Sequence, residues 1–273
     1  CLPEDAAAGE FNGDGRIDPV LLASDSDDAK VVFGAEGFGF WSFPALPLLD
    51  RPGRIELSDF DGDGQQDLLV THLDRRDVGL YPGGPQGLLE GPAQTLDLGF
   101  LPTALAVVDG DGDGVPDLVA YDASGDAIRI YEYVSGTGFG EQTTVPGVAS
   151  VADLVSGDGD GDGLTDLAVS AVESGRVDLY YGDGDGADPR QESVAFTNAL
   201  RKIVLVDLNG DGRDDIVGGD GVSRIGTARA MPAGGYDTPQ WTNVGYEPAC
   251  LVAVDLDGDS DRDVVVGNRN GQS

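Results

Sequence analysis

One nine-residue pattern recurs six times in this 273-residue chain, at Glu10 to Asp18, Asp59 to Asp67, Asp109 to Asp117, Asp158 to Asp166, Asp207 to Asp215 and Asp255 to Asp263. It reads acid-x-Asp/Asn-Gly-Asp-x-x-x-Asp, and successive copies start 49, 50, 49, 49 and 48 residues apart. A period near 50 with so little drift marks a solenoid, a propeller or an array, in which each copy is one supersecondary unit that buries its apolar face on its neighbour. The six windows hold 24 of the 50 acidic residues, so the formal charge of -34 is concentrated in the loops. That charge excludes most nucleic-acid binders, which need a basic face.

The flanks of the loops read as strands. Before them stand Arg54 to Leu57, Ala104 to Val108, Val151 to Val155, Ile203 to Val206 and Leu251 to Val254; after them come Val20 to Leu22, Leu68 to Val70, Leu118 to Ala120, Leu167 to Val169, Ile216-Val217 and Val264 to Val266. These short runs rich in Val, Leu and Ile suit strands and are too short for helices. Each loop therefore joins a hairpin. A third strand follows (Lys30 to Phe33, Val78 to Tyr81, Ala127 to Tyr131, Arg176 to Tyr181, Arg224 to Ala228), then a Gly-rich turn such as Gly37-Phe38, Gly87-Leu88, Gly138-Phe139 or Gly235-Tyr236, with room for a fourth strand. Four strands per ~50 residues is one propeller blade. The expectation is an all-β propeller over residues 1–273, with repeats starting near 1, 50, 100, 149, 198 and 246. The last repeat is incomplete, which leaves six or seven blades open and makes this either a short sixth blade or a piece of a longer chain. The 43 glycines and 40 aspartates favour tight turns over helices in the same way.

The loops suit a hard cation. Side-chain oxygens at positions 1, 3, 5 and 9 and a backbone carbonyl at position 7 would supply the 6–8 oxygens that calcium takes, whereas zinc prefers the His and Cys of which this chain has one and two. The candidate ligands are Glu10, Asn12, Asp14, Arg16 and Asp18; Asp59, Asp61, Asp63, Gln65 and Asp67; Asp109, Asp111, Asp113, Val115 and Asp117; Asp158, Asp160, Asp162, Leu164 and Asp166; Asp207, Asn209, Asp211, Arg213 and Asp215; and Asp255, Asp257, Asp259, Asp261 and Asp263, in each case with the seventh residue acting through its carbonyl. Position 6 is Gly except at Ser260, and Glu10 stands where the other loops have Asp. Without a cation so many carboxylates within nine residues repel one another. Six calcium ions would bring -34 to -22. An EF-hand needs a Glu at position 12, where this chain has Leu21, Val70, Ala120, Val169, Gly218 and Val266.

On these residues the chain resembles the FG-GAP/VCBS repeats of integrin-alpha-like propellers, with their D-x-D/N-x-D-G-x-x-D loop between the first two strands of a blade. The resemblance implies a calcium-stabilised extracellular propeller, secreted or on a cell surface or in the periplasm, that serves as a non-enzymatic adhesion or binding module for a protein or glycan. The alternative is the propeller domain of a carbohydrate-active enzyme of polysaccharide lyase type, which needs acid/base residues in a cleft. His72 is the sole histidine, and it reads as a polar loop residue with no nucleophile motif beside it. Trp41, Trp241, Tyr236 and Tyr246 read as aromatic platforms for sugars or as packing between blades, and the turn Asp183 to Gly186 as a plain turn. Cys1 and Cys250 admit three readings, a disulfide between the first and sixth repeats, a lipidated N-terminal Cys1, or free thiols, and a chain that starts at Cys reads as a processed or excised product. No apolar run approaches the ~20 residues of a membrane helix.

Overall fold

The structure, a computed structural model, describes residues 3–23, 28–34, 40–42, 46–48, 51–84, 92–146, 148–182, 190–257 and 261–269. Cys1, the turn at 183–186 and the Gly-rich turns at 37–38 and 87–88 lie outside them. Every regular element among the described residues is a strand.

The strands fall into six sheets that follow the repeats. The first holds β1 (Pro3–Gly9), β2 (Asp18–Ala23), β3 (Asp28–Gly34) and β4 (Phe40–Ser42) in chain order, with the short β5 (Leu46–Pro47) also on β3. The second is β6 (Pro52–Ser58), β7 (Asp67–His72), β8 (Asp77–Tyr81) and β9 (Gln94–Asp97). The third is β10 (Leu105–Val108), β11 (Asp117–Asp122), β12 (Ala127–Val134) and β13 (Gly138–Pro146). The fourth is β14 (Val151–Gly157), β15 (Asp166–Ala171), β16 (Arg176–Tyr181) and β17 (Arg190–Ala195). The fifth is β18 (Lys202–Val206), β19 (Asp215–Gly219), β20 (Arg224–Ala228) and β21 (Gln240–Asn243), and the sixth is only β22 (Pro248–Val254) with β23 (Asp263–Asn268).

These are the four-stranded antiparallel meanders of propeller blades. The expected six or seven blades are corrected to five, the first carrying β5 as an extra short strand, and one hairpin, because among the described residues nothing follows β23 to supply a third and fourth strand. Each loop joins the first and second strands of its sheet, as the repeat predicts; Gly157 pairs with Asp166, for example, and Val206 with Asp215. The strand before the first loop, for which the sequence reading named no residues, is Pro3–Gly9.

The second strands explain the short apolar runs. β7, β11, β15 and β19 are buried at every residue, so both of their faces need apolar side chains and no alternation survives. The chain packs as two compact units, one of Cys1–Pro102, Val115–Leu118 and Arg129–Thr143, the other of Thr103–Gly114, Val119–Ile128 and Thr144–Ser273. In the first, Phe11, Val20, Leu22, Val31, Ile55, Leu68, Val70 and Tyr81 form one apolar cluster. The second has its own, built from Ala168, Val177, Leu179, Phe196, Leu200, Ile203, Ile216 and Ala228.

Candidate cation sites in the blade loops

Each loop is organised by its first and last acids, which do different work. The first caps the loop's own backbone. In the second loop the N–H of Gly62 donates to Asp59 Oδ1 at 2.7 Å and that of Gly64 to Asp59 Oδ2 at 2.8 Å. The same two positions bond Asp109 in the third loop, Asp158 in the fourth and Asp207 in the fifth, at 2.7–3.0 Å. In the first loop Gly13 donates to Glu10 Oε1 at 2.8 Å and Gly15 to Oε2, so the longer glutamate closes the same turn. Folding the backbone round one carboxylate requires left-handed residues at positions 4 and 6, and in the fifth loop Gly210 and Gly212 have φ of 72° and 81°. The fixed Gly at position 4 therefore has the same cause as the one at position 6.

The ninth acid latches the loop to the third strand of its blade. Asp67 is buried; its Oδ2 accepts from Phe60 N–H at 2.9 Å and its Oδ1 from Gly83 N–H at 2.8 Å. Asp166 does the same with Gly159 at 2.7 Å and Gly182 at 2.8 Å, and Asp18 with Phe11 and Gly34. Asp117 takes the N–H of Tyr133 at 2.9 Å and Asp215 that of Ala230 at 2.8 Å. The partner lies 16 residues on from the acid, or 15 for Asp215, at or just past the end of the third strand in most blades. The sequence reading missed this partner, although a glycine recurs at its offset in three repeats, as Gly34, Gly83 and Gly182, where a Cβ would lie 2.5–2.8 Å from a loop carbonyl oxygen.

Charge state follows from these surroundings. Burial, added to by the charges of neighbouring loop acids, outweighs the two backbone bonds and pushes Asp67 and Asp166 up to about 6. Asp18 and Asp215 are raised for the same reason. Glu10 and Asp207 go the other way, because the backbone N–H groups that they cap overcome a smaller burial penalty.

Carboxylate oxygens converge within 4.8 Å in four triads: Asp59, Asp61 and Asp67; Asp109, Asp111 and Asp113; Asp158, Asp160 and Asp166; and Asp255, Asp257 and Asp263. All four belong to loops with Asp at position 3; the first and fifth carry Asn12 and Asn209 there. Position 5 is also used locally, since Asp14, Asp63, Asp162 and Asp211 each accept the N–H of the seventh residue, Arg16, Gln65, Leu164 and Arg213, at 2.8–3.0 Å. Asp259 lies outside the described residues, and Asp261 is exposed. Among the loop carboxylates of the described residues, Asp160 Oδ1 is buried without a hydrogen-bond partner, while its Oδ2 pairs with Arg190 at 2.5 Å. A buried carboxylate oxygen without a donor is costly. These clusters can hold metal ions, because each carboxylate oxygen keeps acceptor capacity beyond its backbone bonds.

Outside the loops, the reading of His72 as a loop residue is corrected. It ends β7 and is 2 % exposed, with Nδ1 at 3.2 Å from Asp77 Oδ1 and 3.3 Å from the Asp77 carbonyl. Burial holds its imidazole below the ordinary range despite Asp77, and Arg75 in turn clamps Asp77 through Nε at 2.9 Å. Trp241 packs edge-on against Phe196 under Arg224, Tyr236 donates to the Asp214 carbonyl, and Tyr246 is exposed. The side chain of Trp41 is outside the described set, as is Cys1, so the Cys1–Cys250 pairing falls outside the described residues; Cys250 itself is exposed. A cavity of about 370 Å³ beside the fourth blade is lined by Val145, Pro146, Arg176, Asp178, Tyr180 and Ser193 among others. Its polar floor is fixed: Asp178 takes Arg176 Nε at 2.8 Å and Ser193 Oγ at 2.5 Å.

Comparison with known proteins agrees with this architecture. The FG-GAP-like repeat family matches residues 59–120 and 158–218, which bracket the second, third, fourth and fifth loops. None of the curated proteins is a significant match to the chain. Among solved structures, BBS1N in complex with ARL6DN aligns over 97% of this chain and 74% of that chain, at 15% identity and a TM-score of 0.66. A protein from Bacteroides uniformis ATCC 8492, provisionally assigned as a 6-phosphogluconolactonase, aligns over 98% and 78% at 15% identity and a TM-score of 0.69. A functionally unknown protein from Desulfotomaculum acetoxidans DSM 771 aligns over 88% and 70% at 10% identity and a TM-score of 0.64. At such identities the likeness concerns the fold alone. The repeat matches in two stretches and the four-stranded blades support an FG-GAP-repeat β-propeller.

Proposed function

We propose that this chain is a calcium-stabilised extracellular propeller that binds a protein or glycan partner and catalyses no reaction. The observation that carries the reading is the division of labour repeated from loop to loop: the first acid shapes the backbone, the ninth ties it to the third strand, and carboxylate oxygens of the first, third and ninth positions still converge within 4.8 Å in the second and fourth loops, where Asp160 Oδ1 is buried without a hydrogen-bond partner. An all-oxygen donor set with a carbonyl in reserve favours calcium over zinc, and over magnesium, which holds its waters. Loops of this kind in extracellular modules bind at ~10⁻⁴–10⁻³ M, which matches calcium outside a cell.

The acids so arranged are structural, and this supports a non-enzymatic role. The lyase alternative needs an accessible base, and the only histidine is buried behind Asp77. The cavity beside the fourth blade supplies a place for a partner's polar groups, with Arg176, Asp178 and Ser193 held rigid by one another. Thermal unfolding with and without excess EDTA, followed by calcium or magnesium add-back, tests the cation. A large fall in Tm restored by calcium and not by equal magnesium is expected, and an unchanged curve with no metal by elemental analysis overturns it. A glycan array run beside a turnover assay tests the second half: binding that Arg176→Ala weakens, without product, supports the reading, and product formation overturns it.

A further inference from the structure

Neighbouring loops are not isolated, and the ways in which they touch are uneven. In the second unit, Asp158 N–H donates to Asp214 Oδ2 at 2.8 Å, and Asp214 N–H donates back to the Asp158 carbonyl at 2.8 Å. Asp158 is position 1 of the fourth loop and Asp214 is position 8 of the fifth. In the first unit the same positions meet: Gln66 N–H, position 8 of the second loop, donates to the carbonyl of Glu10, position 1 of the first, at 2.9 Å.

A second observation coincides with the first. The residue before the first acid is Gly9 in the first loop and Gly157 in the fourth, but Ser58, Val108, Val206 and Val254 in the others. A Cβ on Gly9 would run into Gln66 Oε1, and one on Gly157 would lie 2.5 Å from Asp214 Oδ2 and 2.6 Å from Leu205 Cβ. The two glycines thus make room for the position-8 side chain of the next loop. A third observation is a built-in contrast: position 8 of the third loop is Pro116, which has no N–H to offer the second loop.

We propose that the first and second loops, and the fourth and fifth, take up cations as coupled pairs, whereas the second and third bind independently of each other. The inference rests on the calcium reading above. The linked atoms sit on ligand-bearing segments: Asp158 opens one loop, and Asp214 lies between the expected carbonyl donor Arg213 and the ninth acid Asp215 of the next. An ion that fixes Asp158 therefore fixes the backbone at Asp214 and with it the adjoining ninth acid, Asp215. Each ion lowers the ordering cost of the other, and the effect is reciprocal.

The test is a calcium titration followed at backbone amides by NMR. The N–H groups of Gly15, Gly64, Gly163 and Gly212 each bond the first acid of their own loop, so each reports on the loop that holds it. Crippling the fifth loop with Asp211→Ala is expected to raise the calcium midpoint at Gly163 by about five- to tenfold, and Asp162→Ala to raise that at Gly212 by the same factor, with Gly64 unmoved by either. Introducing Asp214→Pro beforehand should abolish the shift; position 8 tolerates proline in this chain, as Pro116 shows. Asp214→Ala, which keeps the N–H and loses the carboxylate, should reduce it, and so serves if the proline variant does not fold. A Gly163 midpoint that ignores Asp211→Ala, or a shift that survives Asp214→Pro, overturns the coupling and leaves the calcium reading standing. Amides that do not respond to calcium in any loop overturn both.

Discussion

The fourth and fifth blades and the β22–β23 hairpin carry the same loop and the same first two strands, yet the hairpin's version is far less buried. Asp166 and Asp215 are fully buried, and Asp263 is exposed. Val217 is 0% exposed, while Val265, its counterpart two residues past the ninth acid, is 42% exposed. What differs is the third strand. Gly182 beside β16 and Ala230 beside β20 supply N–H groups to Asp166 and Asp215, whereas the described residues give Asp263 a bond only from Leu256 N–H, within its own loop, at 3.0 Å. The nine-residue motif thus folds a turn by itself, and the rest of the blade turns its last acid into a buried structural group.

The largest expected effect tests that statement directly. Asp166→Ala orphans two N–H groups, of Gly159 and Gly182, and each lost partner costs about 1–3 kcal/mol. Denaturant unfolding should register the sum for Asp166→Ala and less than ~1 kcal/mol for Asp263→Ala, which faces water. Equal losses would show that the latch is not what distinguishes the two regions.

Acidity is the next lever. In chelator, Asp67 and Asp166 titrate near 6 in the folded protein, above the 3.8 of an ordinary aspartate, so the folded state holds more protons between those values. Stability should therefore rise as pH falls from about 7 toward 4, by on the order of 2 kcal/mol per group before other carboxylates oppose it. Saturating calcium should invert the sign, because the ion binds the ionised form and is displaced by protons. Chemical denaturation at pH 7.5 and pH 5, with and without calcium, checks both signs, and a matching slope in the two conditions would break the assignment of these acids to the cation.

Packing sets the third contrast. Val217→Ala removes methyls from a fully buried strand and should cost roughly 2 kcal/mol, while Val265→Ala should stay within about 0.5 kcal/mol. A large loss at Val265 would mean that the hairpin's exposed face is covered in solution.

The same contrast shows what the sequence could reveal. Loop positions, the hairpin across each loop, the third strands and the missing half of the last repeat are all legible, because each depends on residue type at a fixed spacing. β1 is not, since Pro3–Gly9 holds three alanines and no β-branched residue and becomes a strand through pairing with β2. The burial of His72 depends on Asp77 and Arg75 closing over it, a tertiary arrangement that a lone histidine after an apolar run does not foretell. The latch partners and the links between loops act through backbone groups, which residue type marks only in part: Gly34, Gly83 and Gly182 each have a loop carbonyl within 2.8 Å of where a Cβ would sit, while Tyr133 and Ala230 fill the same role in other blades.

The smallest expected effect concerns position 6, where five loops have Gly and the sixth has Ser260, which lies outside the described residues. Gly212 has a φ of 81° and nothing within 4 Å of where a Cβ would sit, so a side chain there meets no neighbour and suffers only the cost of the left-handed backbone. Gly212→Ser should destabilise by about 1 kcal/mol. If the sixth loop follows the same path, Ser260→Gly should stabilise by a similar amount and tighten calcium binding at that loop. Opposite signs in the two variants would show that the motif imposes one backbone whether or not a blade surrounds it. A loss in both would mean that the hairpin loop takes a different path, and that the full blade shapes the turn as well as burying its last acid.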